Sequence, residues 1–200
     1  MAAELAQGFT ALRGLGPAVS VFGSARTPEG SPEYEQACEL GRRLGAAGLA
    51  VITGGGPGAM AAANRGAQDA AARSVGLTID LPHEQGANAW IDLEVPFHYF
   101  FCRKVMFVRY ASAFVVLPGG YGTFDELFEA MTLIQTRKVH HFPLLLVGAD
   151  YWGGLVDWLR EPVLGEGKIG PRDVELLNVT DDLDEVVAVV AQAARIQDEA

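Results

Sequence analysis

Short uninterrupted apolar runs alternate along the chain with longer stretches in which apolar residues recur every three or four positions. The first kind reads as strands buried on both faces, the second as helices with one apolar stripe. Val19 to Phe22, Leu49 to Thr53, Ser74 to Leu81, Ala113 to Leu117 and Pro143 to Val147 are strand-like, with a weaker run at Leu176 to Val179. Between them the spacing predicts helices over Pro32 to Leu44, Ala59 to Ala72, Cys102 to Ala111, Thr123 to Lys138 and Tyr151 to Leu164. An N-terminal helix over 3–13 and a closing helix over 182–196, with Leu183, Val186, Val187 and Val190 as its packed face, complete the series. Ser31, Pro32 and Glu33 have the chemistry of a helix start, and Gly48 that of a stop. Pro82 to Pro96 shows no period and reads as a long loop, of a length that usually carries function.

Strand–helix alternation with apolar strands predicts an α/β fold: a Rossmann-like, doubly wound parallel sheet with helices on both faces, built as one domain over residues 1–200. In such sheets ligands bind outside the carboxyl ends of the strands. Several of the 24 glycines fall where strands end, so they mark the expected edge of a site.

Composition narrows the class. Half of the residues are hydrophobic, which argues against disorder. Fifteen basic against 25 acidic residues give a net charge of −10, which argues against a general nucleic-acid binder. Cys38 and Cys102 are too few for a disulfide framework or a four-cysteine zinc site. There is no secretory leader pattern and no window of 18 uninterrupted apolar residues, so no membrane is expected and a reducing cytoplasm suits the chain. His98, His140 and His141 have no acid or cysteine at regular spacing to complete a ligand set, so no metal is expected.

Two glycine loops join a strand to a helix. The first is Gly54-Gly55-Gly56-Pro57-Gly58-Ala59-Met60. Glycine lets backbone approach a ligand closely, and the following helix offers free N–H groups and a positive dipole end to a phosphate. Gly54, Gly56 and Ala59 also satisfy a dinucleotide fingerprint, with Asp80 about twenty residues on, where a ribose-binding acid falls. That fingerprint normally follows the first strand, whereas this loop follows the second; glycines needed only for the turn are the plainer alternative. The second loop is Pro118-Gly119-Gly120-Tyr121-Gly122-Thr123, followed by Phe124, Asp125 and Glu126. The absence of a P-loop lysine disfavours an ATPase. Thr123 and Glu126 fit a capping box, which makes Glu126 either a helix cap or a carboxylate facing a ligand. Asp125 and Glu126 diverge by about 100° on a helix, so one of them faces away.

Together the two loops resemble the LOG family of cytokinin riboside 5′-monophosphate phosphoribohydrolases, long labelled lysine decarboxylases. Pro118 to Glu126 matches that family's P-G-G-x-G-T-x-x-E motif, Arg103-Lys104 with Met106 resembles its upstream R-K segment, and Phe22 to Arg26 is similar to its first strand-end loop. The likeness runs from about Val19 to Val147. It implies hydrolysis of the N-glycosidic bond of a purine nucleoside 5′-monophosphate to free base and ribose 5-phosphate, without a cofactor. It also implies that Arg103 and Glu126 form the catalytic pair, and that family members are dimers or larger. The substrate-binding set expected on this basis is Ser24, Gly55, Gly56, Gly58, Met60, Asn88, Lys104, Gly119, Gly120, Gly122, Thr123 and Asp125. Relatives on the same scaffold bind molybdenum cofactor or signalling nucleotides, so a non-catalytic carrier is the alternative.

Several of these residues admit plainer readings. Arg103 reads otherwise as a surface arginine in a first helical turn, Arg26 either as a phosphate contact or as a solvated loop residue, and Asn88 as a loop former. Met60 and Met106 read either as an apolar base pocket or as core. Cys102 at a helix start is a candidate for a lowered thiol pKa. The decarboxylase label requires a Schiff-base lysine for pyridoxal phosphate, and none of Lys104, Lys138 and Lys168 sits in a recognisable setting for it.

Overall fold

The strands are β1 (Ala18–Phe22), β2 (Ala50–Thr53), β3 (Ser74–Ile79), β4 (Leu93–Phe97), β5 (Phe114–Val116), β6 (Leu144–Leu146) and β7 (Leu177–Val179). In the computed structural model, which describes residues 1–80, 86–140 and 142–198, they form one parallel sheet in the order β4-β3-β2-β1-β5-β6-β7. The helices are α1 (Ala2–Ala11), α2 (Pro32–Ala46), α3 (Ala59–Asp69), α4 (Phe100–Tyr110), α5 (Tyr121–Gln135), α6 (Ala149–Trp158), the short α7 (Pro171–Val174) and α8 (Leu183–Asp198). The predicted α/β architecture is therefore the observed one. No described helix is long and apolar enough to cross a membrane.

Alternation along each strand divides the core in two. On one face Phe22, Ile52, Phe114 and Val116 pack against Leu12, Phe107, Leu127 and Trp152, beneath α1, α4, α5 and α6. On the other, Val19, Val21, Val51 and Val115 meet Leu40, Leu44, Ala63, Val186 and Val190 of α2, α3 and α8. Small residues let α2 and α3 lie nearly in contact: a Cβ on Gly41 would strike the carbonyl of Ala63, and one on Gly66 the carbonyl of Cys38.

The predicted start of α2 is confirmed: the Ser31 hydroxyl accepts from the Tyr34 N–H at 3.2 Å, with Pro32 in the first turn. Two expectations fail. The aperiodic stretch hides β4, an edge strand parallel to β3. Pro96 is tolerated there because an edge strand can spare one donor. The helix over Tyr151 to Leu164 is not uniform: α6 ends at Trp158 and passes into a π-helical turn over Leu159–Val163. Pro162 lies in that turn and cannot supply the N–H that an α-helix interior needs. Leu81 to Gln85 and His141 lie outside the described residues. They include the end of the third predicted strand, the start of the predicted loop and one of the paired histidines.

From β1 the chain winds outward through β2, β3 and β4, then returns to place β5 on the other side of β1. That reversal opens a crevice at the carboxyl ends of β1 and β5, where ligands of doubly wound sheets bind. The loop after β1, both glycine loops and the start of α5 meet there.

Candidate functional site

The first glycine loop is held from three sides. The Ser24 carbonyl accepts the Ala59 N–H at 3.0 Å, tying the start of α3 to the loop after β1. Gly58 adopts a φ of +66°, and a Cβ on it would overlap that same carbonyl, so only glycine fits. Beneath the loop lies a buried polar network. The Thr53 hydroxyl donates to Asn64 Oδ1 at 2.6 Å and accepts from the Gly55 N–H at 3.0 Å; Asn64 Nδ2 donates to Ser74 Oγ at 2.8 Å. Asn88 closes the network, its amide donating to the carbonyls of Gly55 (3.1 Å) and Gly56 (3.0 Å) and to Asn64 Oδ1 (3.0 Å). Its own carbonyl oxygen accepts from the Trp90 N–H. These bonds make Asn88 a former of the first loop.

The second loop is joined to the first strand's loop by the Ser24 N–H, which donates to the Pro118 carbonyl at 3.0 Å. Gly119 is buried, and a Cβ there would strike the Thr123 side chain. Gly120 caps α5; Gly120 and Gly122 are exposed, with open space where a Cβ would stand. The first N–H groups of a helix have no partners within it. In α5 the Gly120 carbonyl accepts those of Thr123 (2.9 Å) and Phe124 (3.0 Å).

Because α5 begins at Tyr121, Thr123 is its third residue, and the Thr123 N–H donates to Gly120 at 2.9 Å. The Thr123–Glu126 capping box therefore does not form. Glu126 instead points inward, 3% exposed, with both carboxylate oxygens buried and without a hydrogen-bond partner among the described residues. Arg103 Nη2 lies 4.0 Å from Glu126 Oε1. The Arg103 guanidinium is packed over the rings of Phe100 and Phe107 at 5.2 and 5.6 Å, and its Nη1 stands 3.8 Å from where a Cβ on Gly54 would be. It is no surface arginine: it bridges the first glycine loop and the buried carboxylate. Burial pushes the Glu126 pKa up to about 7, against the lowering pull of Lys104 and Arg103.

Lys104 and Asp125, both expected at the substrate, face each other. Lys104 Nζ makes ion pairs with Asp125 (3.0 Å) and Glu129 (2.9 Å), clamping α4 to α5. Burial works against its charge, but the two carboxylates prevail and its pKa is raised. An ammonium so held is a poor Schiff-base nucleophile, and the lysine a pyridoxal enzyme requires does not fit this residue. Of the adjacent acids, Asp125 is the one that faces outward.

Ser24 is half-buried, its hydroxyl accepting from the Arg26 N–H at 3.0 Å, while Arg26 itself is exposed. Met60 folds over the first loop, its sulfur 2.9 Å from a Cβ built on Gly54. Met106 is fully buried in the core. Cys102 is buried as well, and desolvation raises its pKa, contrary to the helix-start expectation. Asp80 is exposed, with His98 Nδ1 4.0 Å from its carboxylate. Among the described residues no group of three His, Cys, Asp or Glu is placed to hold a metal ion. Sequence reasoning missed Asn64, Thr53 and Tyr151. An asparagine on the buried stripe of an alanine-rich helix was a visible signal for the first; Tyr151 carried none.

The family profile described as "possible lysine decarboxylase" matches residues 60–190. A protein of Mycobacterium tuberculosis named cytokinin riboside 5′-monophosphate phosphoribohydrolase is 32% identical over 172 residues, which is 84% of this chain and 90% of that protein. The chain belongs to the LOG family. Another relative of this LOG-family protein, from Arabidopsis thaliana and of the same name, is 27% identical over 165 residues, 80% of this chain and 74% of its own. Among solved structures, the molybdenum cofactor carrier protein of Chlamydomonas reinhardtii superposes with a TM-score of 0.66 at 21% identity, covering 90% of this chain and 99% of its own. That likeness shows a shared fold.

Proposed function

We propose that this LOG-family protein hydrolyses the N-glycosidic bond of purine nucleoside 5′-monophosphates, of cytokinin type or AMP, releasing free base and ribose 5-phosphate. The observation that carries the reading is the buried carboxylate of Glu126, without a hydrogen bond among the described residues and set beside Arg103 below two glycine loops at the switch point of the sheet. Backbone N–H groups of the loops and of α5 take the phosphate. In this reading C1′ of the ribose lies toward Glu126. As the bond from C1′ to the base nitrogen breaks, positive charge builds on the ribose, and the Glu126 carboxylate stabilises it. Water adds its oxygen to C1′ and gives one proton to Glu126; Glu126 releases that proton, through solvent, to the departing base nitrogen, which returns the carboxylate to its starting state. Arg103, always charged, supports the reaction electrostatically rather than by donating a proton. The names of the curated relatives agree with this chemistry.

The test is incubation with AMP and with isopentenyladenosine monophosphate, followed by chromatography for free base. Release by the wild type and none by Glu126→Gln, with AMP still bound, is the expected result. AMP binding without release by the wild type would instead indicate a carrier.

A second copy of the chain completes the assembly in this reading. Phe100, Phe101 and Val105 on α4 and Phe128 on α5 are exposed apolar side chains on the helices that carry Arg103 and Glu126. An apolar patch of this kind is suited to a partner surface. Light scattering on the purified protein should give a dimer or a larger assembly.

A further inference from the structure

We infer that Tyr151 is a positioning residue for the second glycine loop, aiming the Gly120 N–H at the phosphate of the bound nucleotide. The Tyr151 hydroxyl donates to the Gly119 carbonyl at 2.6 Å. A trans peptide is planar, so its C=O and the next N–H point in opposite directions, and no cis peptide occurs among the described residues. Tyr151 reaches the loop from α6, which follows β6, on the far side of β5 from β1. Drawing the Gly119 carbonyl toward α6 therefore turns the Gly120 N–H the other way, toward β1 and the crevice. A Cβ built on Gly120 would meet nothing within 4 Å, so the loop is not packed against other residues on that side.

Tyr151 is itself held. The Asp181 carboxylate accepts the N–H groups of Gly148 (2.8 Å) and Ala149 (3.1 Å), fixing the start of α6. Gly148 lies against Pro118, a Cβ on it falling 3.1 Å from the proline ring. The Tyr151 ring stands edge-on to the buried Trp152 at 4.9 Å. The restraint matters because a Gly–Gly peptide has little to keep it from rotating. With the hydroxyl gone, part of the population turns the Gly120 N–H away, and apparent affinity falls by the competent fraction.

This inference rests on the reading of the site as one for a nucleoside monophosphate. The experiment is Tyr151→Phe, which removes one oxygen and keeps the ring. AMP is titrated by calorimetry, and base release is followed at varied AMP. The Kd and KM for AMP should rise together by about 5- to 20-fold, with kcat within twofold of wild type and the melting temperature little changed. Unaltered Kd and KM overturn the inference, as does a fall in kcat at constant KM. A wild type that binds AMP but frees no base sinks the hydrolase reading alone, and the Kd comparison still decides the role of Tyr151. A wild type that binds neither AMP nor ribose 5-phosphate overturns both.

Discussion

Arg103 Nη2 stands 4.0 Å from Glu126 Oε1, near enough to act on its charge and too far to share a proton with it. The carboxylate is thereby left buried and only partly compensated. Its pKa of about 7, against 4.5 for a free glutamate, records that burial outweighs the cations beside it.

A pH dependence of stability follows. Between pH 4.5 and 7 the folded protein holds a proton on Glu126 that the unfolded chain has released. The stabilising contribution is therefore complete below pH 4.5 and is lost as pH rises through 7, by about 3 kcal/mol in all. Glu126→Gln is neutral throughout and lacks this slope. Denaturation at pH 5 and pH 8 should show the wild type losing about 2.5 kcal/mol more than the variant between the two. Parallel losses would mean that the carboxylate is not desolvated.

The same group shapes the rate profile. If its ionised form works, kcat/KM climbs with pH and levels off above about 7. Arg103→Met removes a charge that favours ionisation, so the ascending limb moves to higher pH. It also removes a preorganised cation from the reacting centre, lowering kcat/KM by about 100-fold or more. A lowered rate with an unmoved limb would place Arg103 on the phosphate, away from Glu126.

Lys104 separates a brace from a ligand contact. Its ion pairs with Asp125 and Glu129 join α4 to α5, and it is the strongest lowering influence on Glu126. Lys104→Met should cost about 1–2 kcal/mol of stability. It should also shift the rate limb upward in pH while leaving the KM for AMP within twofold. A large rise in KM with stability unchanged would restore Lys104 to the substrate.

What could be read along the chain was what repeats locally. Continuous apolar runs marked the strands buried on both faces, and Ser31 with Pro32 marked the start of α2. The helical angle between Asp125 and Glu126 foretold that one acid would turn away, though not which. The edge strand β4 does alternate, with Val95 and Phe97 buried and Glu94 and Pro96 exposed, but a proline masks the pattern. The pairing of Lys104 with Asp125 joins two helices, and the bond from Tyr151 to Gly119 joins α6 to the loop after β5. Nothing in residue order or spacing encodes such contacts; they exist only once the sheet has set the helices side by side.

Asn64 offers the sharpest check that the first glycine loop is held from beneath. It is fully buried and serves Thr53, Ser74 and Asn88 at once. Asn64→Ala strands the Thr53 hydroxyl and takes one acceptor from the Asn88 amide, whose other bonds fix Gly55 and Gly56. The expected cost is about 1–3 kcal/mol, the range for leaving a buried polar group unsatisfied. Asn64→Asp keeps the shape and the acceptor. When ionised it cannot donate to Ser74, so it should be less stable than wild type by a margin that widens from pH 5 to pH 8. Both variants should bind AMP more weakly than their loss of stability explains, because the loosened loop offers its N–H groups in fewer molecules. The decisive comparison is AMP affinity at a temperature where each variant is fully folded. An affinity equal to wild type there would mean that the glycines hold their shape unaided.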